Sequence, residues 1–331
     1  MKALVYTGPR QIDFRDEPEP APLIGEALVR VEAVGICGSD MHAYFGHDDR
    51  RPAPLILGHE ACGRAMSGTF EGRRVVINPL VSCGQCDDCL GGRANLCGSR
   101  EIISMPPRQG ALAEYIKIPE TNMVEIPDGM DPAHGALTEP IATALHAVNV
   151  ADRALWRPLA ECRTLVIGGG AVGLSAALIL RSRGARDIHV ADTNPLRRDT
   201  VETAGKFRAV DPAVAGSLAD GSFDVIIDAV GGGVTRRAAS AAVRPGGVIA
   251  HIGLMDDADG LDVRKLTLQE VTFVGTYTYT MVDFRATVTA LEEGVLGPLD
   301  WIERRPLDEG AAAFDDLAHG RAAASKIVLL P

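Results

Sequence analysis

Three groups of residues in this sequence have the types and spacing to do chemistry. The first is a pair of short segments, Cys37-Gly-Ser39-Asp40-Met-His42 and Gly58-His59-Glu60, which gather a thiol, a hydroxyl, imidazoles and carboxylates. The second is Cys83-Gly-Gln-Cys86-Asp-Asp-Cys89, followed after seven residues by Cys97. The third is Gly168-Gly-Gly170-Ala-Val172-Gly173, a G-x-G-x-x-G that follows an apolar run at 164–167 and opens a helix-like segment.

Four thiolates on a tight loop suit tetrahedral structural zinc, which needs a closed shell of soft ligands and no open position. Cysteine spacing alone does not select the metal, so an iron–sulfur centre is the chemical competitor and a redox disulfide pair the other alternative. Seven cysteines, an odd number with four packed together, do not resemble a secreted disulfide framework, and zinc at Cys83, Cys86, Cys89 and Cys97 is the expectation. Such a site braces a loop and does no chemistry itself.

In the glycine-rich loop, Gly168 permits the tight turn and Gly170 lets the backbone approach a pyrophosphate at the helix N-terminus. Gly173 allows close helix–strand packing. Val172 and Arg197 complete the expected cofactor-binding set with Asp192, which closes the next strand-like run at a spacing suited to the ribose hydroxyls. The Asp192 carboxylate would repel a 2′-phosphate, so NAD is expected rather than NADP. Arg197 and Arg198 pull the other way as possible phosphate partners, or they are helix surface flanking the adenine.

The elements that must position these groups divide the chain. Residues 1–125 read as short strands, such as 27–31, 74–77 and 113–118, broken by Gly and Pro. A helix is expected over 134–150. From 163 to 275, strand-like runs (164–167, 187–191, 223–229, 247–252, 271–274) alternate with helix-like ones (171–183, 195–204), which predicts a parallel sheet with helices on both faces. The remainder is mixed and ends in the apolar run Ile327-Val-Leu-Leu330.

Taken alone, Cys37 could be a small buried hydrophobe and His59 a satisfied core histidine. The full order of motifs says more. Cys37-Gly-Ser-Asp-x-His, Gly58-His59-Glu60, the four-Cys lobe, Glu139-Pro140 and the glycine-rich loop together resemble the zinc-containing medium-chain alcohol dehydrogenases over essentially the whole chain. The resemblance implies an α/β fold: a doubly wound Rossmann sheet inserted in a GroES-like β-rich catalytic domain, with bounds expected at 1–147, 148–282 and 283–331. It implies Cys37, His59, Glu60 and Glu139 as the catalytic zinc set. Glu139 stands where other members carry cysteine, as in the sorbitol and polyol branch, and the glutamate there meets the metal directly or through water. It further implies that Ser39 receives the substrate's hydroxyl proton and passes it through the cofactor ribose to His42, while Asp40 orients His59. An open zinc position would lower the pKa of an alcohol and stabilise its alkoxide, which delivers hydride to the nicotinamide.

The implied activity is oxidation of a secondary hydroxyl of a polyol, sugar alcohol or diol. A threonine-type hydroxy-amino-acid dehydrogenase shares the site plan. A catalytically idle relative would have lost ligands or relay residues, and all are present. A homodimer or homotetramer is also implied. Cys62 and Cys162 fit no ligand position, and Cys62 is expected to pack beside the Gly-His-Glu loop.

The bulk numbers exclude other classes. Of 331 residues, 46% are hydrophobic and 23% charged, as in soluble globular chains of two domains. Lys and Arg number 33 against 44 Asp and Glu, a net charge of −11, which argues against nucleic acid or anionic membrane as partners. A small alcohol substrate is compatible with this balance. No signal-peptide-like or bilayer-length apolar run is seen, so a cytoplasmic location is expected.

Four segments carry further expectations. The stretch from Ala65 through Glu71-Gly-Arg73-Arg74 is shorter than usual in the family and is expected to be a trimmed surface loop. Arg50 and Arg51 could read a phosphate or carboxylate, but a solvated loop with internally paired charges is preferred. Residues 105–115 resemble the corresponding segment of sorbitol- and idonate-type members. Tyr277 and Tyr279 face either the cleft or a subunit contact.

Overall fold

In the computed structural model, which describes residues 1–256 and 259–331, the strands Lys2–Gly8, Gln11–Asp16 and Leu55–Ile56 form one small sheet, and five strands between Glu26 and Glu125 join the chain's last two strands in a larger one. Its order is Met123–Glu125, Arg74–Ile77, Glu60–Ala65, Glu26–Gly35, Lys326–Leu330, Ile302–Pro306, with Tyr115–Pro119 also paired to Glu26–Gly35. Along Glu26–Gly35 the residues Ala27, Val29, Val31 and Ala33 alternate inward, as a half-buried strand requires. Val328 lies opposite Gly35, so the last strand docks beside the segment that leads into Cys37.

The middle of the chain forms a six-stranded parallel sheet in the order Arg208–Val210, Asp187–Ala191, Arg163–Ile167, Phe223–Asp228, Val243–His251, Thr272–Gly275. All six residues of Phe223–Asp228 are buried, because helices cover both faces of a central parallel strand. The strand order reverses between Arg163–Ile167 and Phe223–Asp228, which opens a crevice at their carboxyl ends. This is the expected α/β architecture, a doubly wound sheet beside a β-rich unit.

The 134–150 expectation resolves into two helices, Pro132–Ala136 and Thr138–Ala154. Pro140 explains the break: it lacks the N–H that a continuous helix would donate to the Ala136 carbonyl, and it is tolerated in a first turn. Ile141, Ala144, Val148 and Ala151 then repeat at helical spacing into the core. The strand expected from 113 begins at Tyr115, since Ala113 bridges to Ala3 instead. The strand Arg208–Val210 and the helices Gly233–Ala242, Met281–Glu292 and Gly310–Ala318 were not anticipated individually. Among the described residues, no helix is long and apolar enough to cross a membrane.

Candidate active site

Cys37 is the N-cap of the helix Gly38–Tyr44, at the point where the strand Glu26–Gly35 ends. His59 and Glu60 lie at the start of the neighbouring antiparallel strand Glu60–Ala65, and Glu60 pairs with Gly35. That register brings one donor atom from each of Cys37, His59 and Glu60 within 4.8 Å of the others. A side chain at position 35 would collide with Glu60, for an added Cβ falls 2.1 Å from Oε2. Gly35 therefore makes room for the carboxylate.

The cluster is electrostatically built for a cation. Asp40 is fully buried and accepts from the Cys37 N–H at 2.9 Å and the Gly58 N–H at 3.2 Å. Its Oδ1 lies 3.5 Å from His59 Nδ1. Burial alone would raise the Asp40 pKa, but the charge of His59 and these donors outweigh it and hold the group at about 2. Burial works against a charged His59, yet Asp40 and Cys37 raise its pKa well above the ordinary value. Lys326, itself buried, donates to Glu60 Oε1 at 2.6 Å and to the Ile36 carbonyl at 2.9 Å. Glu60 Oε2 and His59 Nδ1 are buried and accept or donate no formed hydrogen bond. A thiol, an imidazole and a carboxylate at this separation, with buried polar atoms unsatisfied, fit a zinc ion.

Glu139 sits in the first turn of Thr138–Ala154, buried next to the cluster but outside the group of mutually close donors. Burial pushes its carboxyl up to about 7, with His59 opposing the shift and Glu60 adding to it. The Tyr279 hydroxyl, also buried and without a formed hydrogen bond, interacts electrostatically with that carboxyl. Ser39 and His42 are one turn apart on Gly38–Tyr44 and so share a face. Burial lowers the His42 pKa, and His47 adds to the effect.

Cys83, Cys86, Cys89 and Cys97 converge, with all four Sγ atoms within 4.8 Å and none in a disulfide. Cys83 Sγ lies 3.6 Å from that of Cys97 and 3.9 Å from that of Cys89. Four sulfurs at about 2.3 Å around one zinc would be roughly 3.8 Å apart, so the cage has the right size. Backbone N–H groups of Gln85 and Cys86 push the Cys83 thiol down to about 6, as a thiolate ligand requires.

At the crevice of the parallel sheet, Gly168 takes φ +104°, which an L side chain rarely adopts. A Cβ on Gly173 would lie 1.8 Å from the Gly168 carbonyl, whereas one on Gly170 would meet open space. Asp192 accepts from the Gly169 N–H at 2.7 Å and the Asn194 N–H at 2.8 Å. Val172 packs its side chain toward the core, leaving only its backbone to the helix N-terminus. Arg198 is committed to the carbonyls of Asp192 and Thr193 and to Asp211, while Arg197 Nε is buried without a partner.

Comparison with known proteins agrees with this geometry. Residues 24–128 match the alcohol dehydrogenase GroES-like domain and 171–293 the zinc-binding dehydrogenase family. L-galactonate-5-dehydrogenase of Escherichia coli K12 is 32% identical over 89% of this chain and 88% of its own length. Sorbitol dehydrogenase of Bacillus subtilis 168 is 32% identical over 84% of this chain and 82% of its own. The chain is a zinc-binding medium-chain dehydrogenase. An alcohol dehydrogenase of Thermus sp. ATN1 superposes on it with a TM-score of 0.87 at 26% identity, covering 100% of this chain and 99% of the other.

Several residues of this dehydrogenase near the site carry no motif signal. Lys326 opens an apolar terminal strand and looks in sequence like its solvated edge. Asp228, at the end of its strand, accepts from the Val230 and Gly231 N–H groups and from Thr235 Oγ1, and lies 3.2 Å from His251 Nδ1. Only its place at a strand's carboxyl end could have flagged it. Arg51 differs from the solvated loop expected: it is buried, pairs with Asp48 at 2.6 Å and donates to the Ser39 and Ser104 carbonyls. Arg50 does pair internally, with Asp48 at 2.8 Å, and is largely exposed. Cys62 packs in the core against Ile126 and Ala133, and Cys162 lies under the parallel sheet. The stretch after Ala65 is a short turn closed by the Gly72 N–H to the Ala65 carbonyl at 2.8 Å.

Proposed function

We propose that this dehydrogenase oxidises a secondary hydroxyl of a polyhydroxylated carbon chain to a ketone, with NAD as hydride acceptor. The observation that carries the reading is the cluster of half-buried Cys37 with buried His59 and Glu60, with Ser39 and His42 on the helix that Cys37 caps. Cys37, His59 and Glu60, with Glu139 beside them, would hold a zinc ion, which when bound would acidify the alcohol. Asp40, whose Oδ1 lies 3.5 Å from His59 Nδ1, would orient the imidazole in the metal-loaded site. Ser39 Oγ takes the hydroxyl proton, and His42, kept neutral by its lowered pKa, is the outer base. Lys326 neutralises part of the carboxylate charge.

The cofactor reading rests on Gly168, Gly170, Val172 and Gly173 for the pyrophosphate and on Asp192 for the ribose, with Arg197 flanking the adenine. Asp192 accepts from the Gly169 and Asn194 N–H groups at the end of the second parallel strand, and a carboxylate there disfavours a 2′-phosphate, which supports NAD. The sorbitol and L-galactonate relatives support a polyhydroxylated substrate over a hydroxy-amino acid. We further assign 1–147 and 283–331 to the catalytic domain and 148–282 to the NAD domain. The edge strand Thr272–Gly275 and the exposed Leu254, Val263 and Leu268 nearby support self-association as a dimer or tetramer.

The test is NADH formation by zinc-replete protein over a panel of polyols, sugar acids, sugar phosphates and threonine, with and without a chelator. Chelator-sensitive turnover of one polyhydroxylated group is expected. Turnover of threonine alone would move the assignment to the amino-acid branch. No turnover of any compound by protein holding both zincs would favour an idle relative.

A further inference from the structure

The segment that returns the chain to the β-rich unit, residues 320–326, touches both sites. Ala322 is buried in the core of that unit, and the strand that follows pairs with Glu26–Gly35. On its way the segment is bonded to the parallel-sheet unit. Asn194 Nδ2 donates to the Gly320 carbonyl at 3.0 Å, Thr200 Oγ1 to the Ala323 carbonyl at 2.8 Å, and Ser325 Oγ to the Gly169 carbonyl at 2.8 Å. The first two bonds lie at the surface, whereas the third is buried.

Gly169 is the middle residue of Gly168-Gly-Gly170, where the backbone turns toward a pyrophosphate. It is held from two sides. Its N–H donates at 2.7 Å to Oδ2 of Asp192, the carboxylate proposed for the ribose, and its carbonyl accepts the Ser325 hydroxyl. Ser325 is fixed in turn by its own N–H, which donates to the Trp301 carbonyl at 3.1 Å. The next residue is Lys326, whose Nζ donates to Glu60 Oε1 at 2.6 Å and to the Ile36 carbonyl at 2.9 Å. The Ile36 N–H donates to the Ile327 carbonyl at 3.0 Å, one residue before Cys37. Two consecutive residues therefore join the loop that would carry the cofactor to the carboxylate and thiol that would carry the metal.

Hydride transfer between two separately held groups needs such a joint. The reacting atoms must come to about 3–3.5 Å, and a misplacement of about 1 Å costs roughly 100-fold in rate. A buried tie of short bonds also shares its ordering between the sites. Once one ligand has fixed it, the other finds its own side in place, and the two affinities rise by the same factor.

We propose that Ser325 is a positioning residue that locks the glycine-rich loop in register with the metal cluster, so that filling either site tightens the other. This rests on the cofactor and metal readings above.

The probe is ADP-ribose, which has the adenosine and pyrophosphate of the cofactor but lacks the nicotinamide ring, so an effect at the metal must travel through the protein. The zinc of the Cys37 site is identified as the one lost in Cys37→Ser. Its affinity is measured by chelator competition with the cysteine lobe loaded, with and without saturating ADP-ribose. Amide exchange at residues 325–327 is followed alongside. In the parent, ADP-ribose is expected to tighten zinc about 5-fold or more and to slow that exchange. Ser325→Ala is expected to bind ADP-ribose within about 3-fold of the parent while the coupling falls below about 2-fold. Ser325→Thr, which keeps a hydroxyl, should retain most of the coupling. A merely structural bond would weaken both ligands and leave the factor between them unchanged. A factor unchanged in Ser325→Ala, or absent from the parent, overturns the proposal. Should Ser325→Ala not fold, the parent decides: residues 325–327 left unprotected by ADP-ribose overturn it. A parent that binds no ADP-ribose contradicts the cofactor reading itself and takes the proposal with it.

Discussion

Replacing Lys326 by methionine removes the buried cation that compensates Glu60. The side chain lies in the interior, with Nζ bonded to Glu60 Oε1 at 2.6 Å and the Ile36 carbonyl at 2.9 Å. Methionine fills similar volume, so the change isolates the charge and its two bonds. In protein stripped of zinc, breaking one partner of this buried pair costs about 3–5 kcal/mol, because the Glu60 carboxylate left behind is desolvated and has neither lysine nor metal to pair with. At about 2 °C per kcal/mol for a chain of this length, the thermal midpoint should fall roughly 6–10 °C. Lys326 has a raised pKa in the fold, since attraction to Glu60 outweighs the burial that opposes its charge. Its contribution is therefore complete below the unfolded lysine value of about 10.4 and is lost only as pH rises through the higher folded value. The penalty should be flat between pH 6 and pH 9. Thermal and denaturant melts of Lys326→Met, Glu60→Gln and the double variant form the assay. The double variant should recover much of the loss, because a neutral amide leaves no buried charge. A Lys326→Met protein within about 1 kcal/mol of the parent, with Glu60 intact, would refute the view that Lys326 holds this carboxylate.

Other consequences can be checked with single variants. Cys97→Ser should release one zinc per chain by elemental analysis and lower the thermal midpoint; full retention of metal would contradict the four-thiolate cage. Asp192→Ala removes the acceptor of two loop N–H groups, and the KM for NAD should rise roughly 10–100-fold while NADP is used relatively better, on the scale of charged hydrogen bonds. Gly173→Ala places a methyl against the Gly168 carbonyl and should cost about 1–3 kcal/mol with weakened cofactor binding, read by a melt with and without NAD. The acid limb of kcat/KM should lie below the ordinary histidine value of about 6.5, because burial and His47 depress the His42 pKa. Activity should fall as pH drops through that limb, and His42→Gln should abolish it.

Much of this site was legible because its parts are local. A glycine-rich turn after a strand, and four cysteines within a short loop, declare themselves by spacing. Asp192 follows from its distance along the same βα unit. What the sequence hides is long-range. Lys326 meets Glu60 only because the final strand pairs beside Glu26–Gly35, a contact across 266 positions. Gly35 looks like an ordinary strand residue until the Glu60 carboxylate is seen to occupy its missing side chain. Arg51 and Arg50 are neighbours with one composition and opposite fates, since only the fold decides which reaches the Ser39 carbonyl. The helix break at Leu137 was readable in principle from Pro140, whose missing N–H forbids an unbroken helix.

The most direct test of the central claim, that Cys37, His59 and Glu60 hold the zinc that activates the alcohol, is zinc stoichiometry paired with NADH-linked turnover in Cys37→Ser. Two zincs per chain are expected in the parent and one in the variant, with turnover lost and the cysteine lobe still loaded. Two retained zincs, or undiminished turnover with one, would contradict it.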